Sequence, residues 1–331
     1  MDRVRALLSI VIILLLVGGC SGKPGETGPE LRKIVYLTAF GAAGRDAFAW
    51  IAQEKGYFRE AGLDVEIQLG AATGENLKTL AAGRVQFADN DLIGGTILAG
   101  KGTFTGFRAI AAIHQETLVS IVAPQDGPVR KPGDLSGRTL GAATGSVNQL
   151  LFPAYARKAG FDAATVKWVN ASPQQVPALL AAGRVDALST FLIGRPGIEK
   201  AAGKPMTVLP YSDVLPELFG NAIITSTATI AEDPDLVRRF RDAALEGLQY
   251  TLEHPDEAAA LLHRKNPASA AAAAKGEITL MTPYTKPAAG KPLGAIDRAR
   301  VTTAIAVLVE TGLIPPGLTA DKVVEFPLTP Q

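Results

Sequence analysis

Leu80-Ala81-Ala82-Gly83-Arg84-Val85 recurs as Leu180-Ala181-Ala182-Gly183-Arg184-Val185, one hundred residues further along the chain. Each copy follows an extended run and then a helical one, residues 65–69 and 74–82 in the first case, 166–170 and 173–182 in the second. Each leads into a further extended run, Gln86-Phe87-Ala88-Asp89 or Asp186-Ala187-Leu188-Ser189. The glycine ends a helix in a left-handed turn, and the β-branched valine opens a strand. A strand–helix–strand unit stated twice with matched flanks predicts two lobes of similar build, whereas chance similarity between alanine-rich helices would leave the flanks unmatched.

The same alternation extends outward from both copies. Residues 33–37 read as a strand, and 46–55 as a helix with Ala47, Trp50 and Ile51 at buried spacing. Residues 63–69 and 85–88 are further strands, with helix 74–82 between them, which is the pattern of βαβ units in a largely parallel sheet. Pro124-Gln125-Asp126-Gly127-Pro128 and Lys131-Pro132-Gly133 break the chain after strand 118–123. Residues 221–225 form another strand candidate, and from there to 309 the pattern is almost purely helical. A helical tail must pack on something already built, and the first lobe is its expected host. The fold class expected is therefore α/β, with two Rossmann-like lobes, mixed but mostly parallel sheets, and a hinged cleft. Lobe 1 comprises 32–123 plus 222–331 and lobe 2 comprises 124–221, with crossings near 124 and 220.

A chain of 331 residues exceeds one ordinary core, in agreement with two lobes. With 33 Lys and Arg against 32 Asp and Glu, it lacks the basic excess that meets phosphates, so no nucleic-acid partner is expected. One cysteine and three histidines provide neither a disulfide framework nor a zinc or iron–sulfur site, so no metal and no cofactor are expected. The cysteine lies in a leader. Met1-Asp2-Arg3-Val4-Arg5 is net positive, residues 6–17 are apolar but too short to span a bilayer, and Val17-Gly18-Gly19-Cys20 follows. This resembles the bacterial lipobox, which implies cleavage of residues 1–19 and lipidation of Cys20. Residues 20–31, rich in Gly and Pro, then read as a flexible tether holding the body outside the cytoplasmic membrane.

In parallel α/β sheets, ligands sit where the carboxyl ends of strands meet loops and helix N-termini. That rule nominates the loop holding Phe40, Arg45 and Asp46, whose glycines permit close approach, although Phe40 also fits a core and Arg45 a solvated first turn. It also nominates Asp89, Asn90 and Asp91, where Asp91 reads equally as a helix N-cap. His114 and Gln115 form a polar break between apolar strands and serve equally as a plain turn. Thr144, Gly145 and Ser146 precede helix 150–159, where free amides suit an anion or carbonyl, or Ser146 simply caps. Ser189, Thr190 and Phe191, with Arg195 at the start of a helix, complete the set. Enzyme templates are absent: no G-x-S-x-G, no Walker A loop, no H-E-x-x-H. Trp50 and Trp168 fall within the helix and strand patterns and are assigned to the core.

Trp50 with Gly56-Tyr57-Phe58 and Gly62-Leu63-Asp64-Val65 resembles the opening of the solute-binding proteins of ABC importers. The relevant group serves thiamine-pyrimidine precursors, riboflavin, sulfonates and nitrate. Residues 81–88, Ala111-Ala112-Ile113-His114-Gln115 and Asp134-Leu135-Ser136-Gly137-Arg138-Thr139-Leu140-Gly141 carry the same resemblance. It implies a type II periplasmic-binding-protein fold, a monomer that closes on a small-molecule solute, and a membrane permease as partner. The implied pocket loops fall on 40–46, 89–91, Gln115, 144–146 and 190–191, and Leu218-Phe219-Gly220-Asn221 adds Asn221. A nitrogenous heteroaromatic solute is favoured because Asp89 and Asp91 outnumber cationic groups at the first rim. An anion held by Arg45, Arg195 and the amides of 144–146 is the alternative. A sensor module or an extracytoplasmic enzyme are the other readings, although the cysteine-rich motif of yeast-type pyrimidine synthases is missing.

Overall fold

Among the described residues ten strands fall into two separate sheets, and the chain changes sheet twice. In the computed structural model the strands are β1 (Arg32–Leu37), β2 (Leu63–Gln68), β3 (Phe87–Asp91), β4 (Phe107–Ala112), β5 (Val119–Pro124), β6 (Thr139–Ala143), β7 (Lys167–Ala171), β8 (Ala187–Phe191), β9 (Met206–Pro210) and β10 (Asn221–Ser226). The helices are α1 (Ala47–Glu54), α2 (Tyr57–Glu60), α3 (Thr73–Ala81), α4 (Leu92–Gly100), α5 (Val147–Ala159), α6 (Val176–Ala181), α7 (Arg195–Ala202), α8 (Thr227–Glu232), α9 (Pro234–Glu253), α10 (Pro255–Lys265), α11 (Ala271–Thr285) and α12 (Arg298–Glu310). The structure describes residues 30–144, 146–172 and 174–331. The leader 1–19, Cys20, the tether up to residue 29 and Gly145 lie outside the described residues.

The sheet orders are β2-β1-β3-β10-β4 and β7-β6-β8-β5-β9. One order maps onto the other strand for strand. The repeated hexapeptide sits at the same turn in both, after α3 and before β3, and after α6 and before β8. Its glycines take left-handed φ values of 68° and 66° at Gly83 and Gly183, the conformation that turns the chain back onto the sheet. β1 pairs parallel with β2 and β3, while β10 runs antiparallel to both β3 and β4. β6 likewise pairs parallel with β7 and β8, and β5 runs against β8 and β9. The reversed strand in each sheet is the one arriving from the other sheet. It enters at the carboxyl ends of its new neighbours and has to run away from them.

The first crossing differs from the sequence expectation. β5 belongs to the second sheet, so the chain crosses between Ala112 and Val119 and not near 124. The proline–glycine cluster at 124–133 marks the far connection of β5 to β6. The true crossing is short and lacks such punctuation. Lobe 1 as drawn from sequence therefore loses its last strand to lobe 2. The return crossing reaches the first sheet at Asn221, beside the expected position.

The two crossings lie against each other. The amides of Ile113 and His114 donate to Asn221 O at 2.8 and 3.0 Å, and Gly220 N donates to His114 O at 3.2 Å. A Cβ on Gly220 would stand 2.9 Å from that of His114, so glycine is what permits the contact. Arg300 of α12 straps both crossings. Its guanidinium donates to Gln115 O on one, and to Pro216 O at 2.8 Å and Glu217 O at 3.3 Å on the other, while lying 4.1 Å over the Phe219 ring.

The helical tail covers the first sheet through α9. Phe240 stacks on Phe87 at 3.9 Å and on Phe58 at 5.3 Å, all three essentially buried. Burial of each such ring contributes about 1.5–3 kcal/mol. Trp50 is buried against α10 and α11 and belongs to the core, whereas Trp168 is half-buried and packs edge-on to Phe152 at 5.0 Å at the core's margin. α11 also reaches residues 192–194 of the second half, so the tail touches both halves. Among the described residues no helix is long and apolar enough to cross a membrane.

Candidate functional site

Carboxyl ends of β1, β3, β6 and β8 converge on a cavity of about 440 Å³, within the ~300–1,000 Å³ usual for small-molecule sites. The first half contributes Phe40 and Arg45 from the β1–α1 loop, Thr73 at the start of α3, Asn90 and Asp91 ending β3, and Asn221 opening β10. The second half contributes Thr144, Ser146, Val147 and Asn148 after β6, Val176 and Pro177 of α6, Ser189, Thr190 and Phe191 ending β8, and Ile193, Gly197 and Ile198 beyond it. Glu277 of α11 closes one side. Phe40, Arg45, Asn90, Asp91, Thr144, Ser146, Thr190 and Phe191 are thus brought together, as the strand-end rule expects, and Asn221, which the resemblance added, joins them. Gly145 lies outside the described residues.

Five nominated residues lie elsewhere. Asp46 and Asp89 are fully buried behind the wall. Asp46 Oδ1 accepts from Ala39 N at 2.9 Å, and so holds the loop that carries Phe40. His114 is fully buried at the crossings, where its Nδ1 accepts from Asn221 N at 3.3 Å, and burial lowers its pKa to about 3. It is neutral and has no route to the cavity. Gln115 donates to Ala295 O at 2.9 Å, anchoring the crossing to the tail. Arg195 lies between the wall residues Gly194 and Gly197 but lines a separate outer groove with Lys275, and it pairs with Glu199 at 2.9 Å. Its place at the first turn of α7 points it away from the strand ends.

Electrostatically, the first-half wall is acidic with a single cation. Arg45 is almost buried. Its Nε lies 3.6 Å from Asp46 Oδ2, and its guanidinium lies 5.3 Å from the centre of the Phe191 ring across the cleft. Burial pushes the Asp46 carboxyl up against the opposing pull of Arg45. Burial, with the nearby charge of Asp46, raises Asp89 well above the carboxylate range. Asp91 rises to about 6, again through burial, although the amides of Gly94 and Ile93 hold it down. Its carboxylate accepts from Gly94 N at 2.6 Å, so Asp91 caps α4 as well as facing the cavity. Burial raises Glu277 too. Both amide atoms of Asn90, the Ser146 hydroxyl and Asn148 Oδ1 are buried without a partner among the described residues. Unpaired polar atoms of this kind cost about 1–3 kcal/mol each unless something fills the site.

Sequence reasoning missed two residues of consequence. Glu277 lies far down the chain in an alanine-rich helix. Asn148 lies inside α5, where its Nδ2 donates to the backbone O of Ser189, a residue the strand-end rule does nominate, at 3.2 Å. Behind the wall, buried Asn76 donates to Thr38 O and Ala39 O at 3.0 Å and to Asp89 O at 3.2 Å, binding the ends of β1 and β3 together. No group of three or more His, Cys, Asp or Glu side chains with metal-binding geometry occurs among the described residues.

Residues 46–258 match the family model described as NMT1/THI5 like. The riboflavin-binding protein RibY of Chloroflexus aurantiacus is 26% identical over 276 residues, 78% of this chain and 77% of that protein. A formylaminopyrimidine-binding protein of Halalkalibacterium halodurans is 22% identical over 254 residues, 76% of each chain. The periplasmic aliphatic sulphonate binding protein SsuA from Escherichia coli superposes with a TM-score of 0.69 at 15% identity, covering 90% of this chain and 92% of that one. That likeness shows the fold, the two-sheet periplasmic-binding-protein architecture.

Proposed function

The chain belongs to the NMT1/THI5-like family, and on that premise we propose that it is the extracytoplasmic solute-binding receptor of an ABC importer. It captures a small solute between its two halves and passes it unchanged to a membrane permease. The observation that carries this reading is the cavity itself. It is enclosed by strand ends of two similar sheets, lined by apolar side chains, and supplied with buried polar atoms that lack partners. Such a site binds; bond-breaking would need a nucleophile beside a base, and the buried histidine of this chain lies off the cavity. Closure and release would turn on the paired crossings that Arg300 straps.

A small nitrogenous heteroaromatic solute suits the wall better than an anion. Phe40 and Phe191 offer apolar ring faces, Asn90 and Asn148 offer amide groups, and acceptors dominate the first-half side. The sulfonate or nitrate alternative needs free cations. Arg45 lines the cavity with an Nε that makes no hydrogen bond among the described residues, but its charge is balanced by Asp46 at 3.6 Å, and Arg195 is turned to the outer groove. Relatives that bind riboflavin and formylaminopyrimidine support the heteroaromatic reading. We further propose that Cys20 carries a lipid which holds the receptor at the membrane. Denaturing protein purified from its own host and identifying the released molecule by mass spectrometry tests the function. A heteroaromatic compound released at one per chain supports it, and a chemically altered product appearing from that compound over hours refutes it.

A further inference from the structure

α11 comes closer to the cavity loop than packing alone requires. A Cβ on Gly44 would stand 2.3 Å from Ala274 O and 2.9 Å from Glu277 Cβ, so the turn of α11 between Ala274 and Glu277 rests directly on the backbone of residue 44. The backbone N–H of Gly44 donates to Glu277 Oε2. Ser269, just before α11, donates to Ala42 O and pins the same loop from a second point. Glu277 is thus held in place by one oxygen while its side chain lines the cavity. Its other oxygen accepts no hydrogen bond among the described residues.

The surroundings decide what that oxygen can take. Arg45 and Asp46 act on Glu277 from the turn 44–46; Arg45 is charge-balanced by Asp46, 3.6 Å from its Nε, and lies over the Phe191 ring, while that Nε makes no hydrogen bond among the described residues. The facing wall from the second half carries amide, hydroxyl, apolar and aromatic groups but no titratable side chain among the described lining residues. The nearby cations Lys275 and Arg195 pair with Asp256 and Glu199 and face the outer groove. A carboxylate oriented by a backbone N–H, with an unused acceptor facing a ligand-sized space, is an acceptor waiting for a donor.

The geometry points to Glu277 as a specificity-determining residue that accepts a hydrogen bond from an N–H of the solute, selecting amino-bearing heterocycles over anions and over oxo heterocycles of the same size. This rests on the receptor reading above and deepens it. An anion would meet the carboxylate head-on, and an oxo group would set two acceptors against each other. Both are rejected by repulsion as much as by lost attraction.

Isothermal titration of the full chain with 4-aminopyrimidine, pyrimidin-4-one, riboflavin and ethanesulfonate, for wild type and Glu277→Gln, tests the assignment. Gln keeps the oxygen that Gly44 needs and removes the charge; matching thermal melts establish that the variant folds. The wild type should bind 4-aminopyrimidine at least tenfold more tightly than pyrimidin-4-one and ethanesulfonate. Glu277→Gln should weaken the amino compound about ten- to a hundredfold while changing pyrimidin-4-one less than threefold, as loss of a charge-assisted bond requires. Equal losses for both pyrimidines, or none, overturn the role of Glu277 and leave the receptor reading standing. Tight ethanesulfonate binding by both proteins does the same. Failure of all four probes to bind the wild type overturns both.

Discussion

Replacing Gly44 by Ala tests the seating of α11 on the cavity loop. The added methyl would lie 2.3 Å from Ala274 O and 3.0 Å from Ala274 C, about 1 Å inside tolerable contact. Neither atom is the end of a flexible side chain, so the helix has to move. Ala274, Ile278 and Met281 of α11 are almost fully buried, and Ala274 and Ile278 pack with Ala47, Trp50, Ile51, Leu261 and Leu262. Overpacking of such a contact costs about 1–3 kcal/mol. Loss of the bond from Gly44 N to the Glu277 carboxylate adds about 1.5–3 kcal/mol. Together they predict a loss of about 2.5–6 kcal/mol, or roughly 4–10 °C in Tm for a protein of this size. Gly197 is the internal control. It also lines the cavity, but a Cβ there meets nothing within 4 Å, so Gly197→Ala within α7 should be neutral or stabilise by about 0.5–1 kcal/mol. Paired thermal melts read both. If Gly44→Ala melts within 1 °C of wild type, or no lower than Gly197→Ala, the close seating is refuted.

Asp91 predicts a pH dependence of stability. Its pKa in the folded protein is raised to about 6 from the ordinary 3.8, so between pH 4 and 6 the folded state keeps a proton that the unfolded chain has released. Stability therefore falls as pH rises through that window, by about 3 kcal/mol at most for this one group. Asp91→Asn keeps an acceptor for the Gly94 amide and removes the titration, so urea melts from pH 4 to 7 should show wild type losing stability relative to the variant; parallel curves would contradict this. Arg300→Met removes the strap across both crossings and leaves backbone carbonyls of Gln115 and Pro216 without that donor. A loss of about 2–4 kcal/mol is expected in denaturant unfolding, and a change under 0.5 kcal/mol would show that the strap is idle.

Much of this architecture was legible because its signals are local. The hexapeptide at 80–85 and 180–185 needs only a glycine turn and a β-branched strand start, so it announced the duplicated unit before any pairing was known. The first crossing was misplaced because strand partnership is not local. Nothing in Val119–Pro124 says that it hydrogen-bonds to Ala187–Phe191 and Met206–Pro210 instead of to its predecessor. The strand-end rule brought Phe40, Asn90 and Thr190 to the cavity wall, since their positions follow from where their own strands stop, whereas Asn221, which opens β10, came from the family resemblance. It misdirected Arg195, because rotation about a helix axis decides between cavity and outer groove and a difference of one residue reverses it. Asp46 and Asp89 had the right address but the wrong depth, lying behind the residues that face the space. Glu277 carried no local signal at all. Its relevance depends on α11 folding back onto Gly44 from more than two hundred residues away.

Native mass spectrometry of the wild-type chain and of Gly197→Phe, each mixed with 4-aminopyrimidine, riboflavin and ethanesulfonate, tests most directly that the space between the sheets is the binding site. Gly197 lines that space, and a Cβ there meets nothing within 4 Å, so the position has room for a larger side chain. The expected result is a one-to-one adduct of unaltered ligand mass with a heteroaromatic probe in the wild type, and its loss in the filled variant. An adduct retained by Gly197→Phe, or a ligand whose mass has changed, would contradict the account.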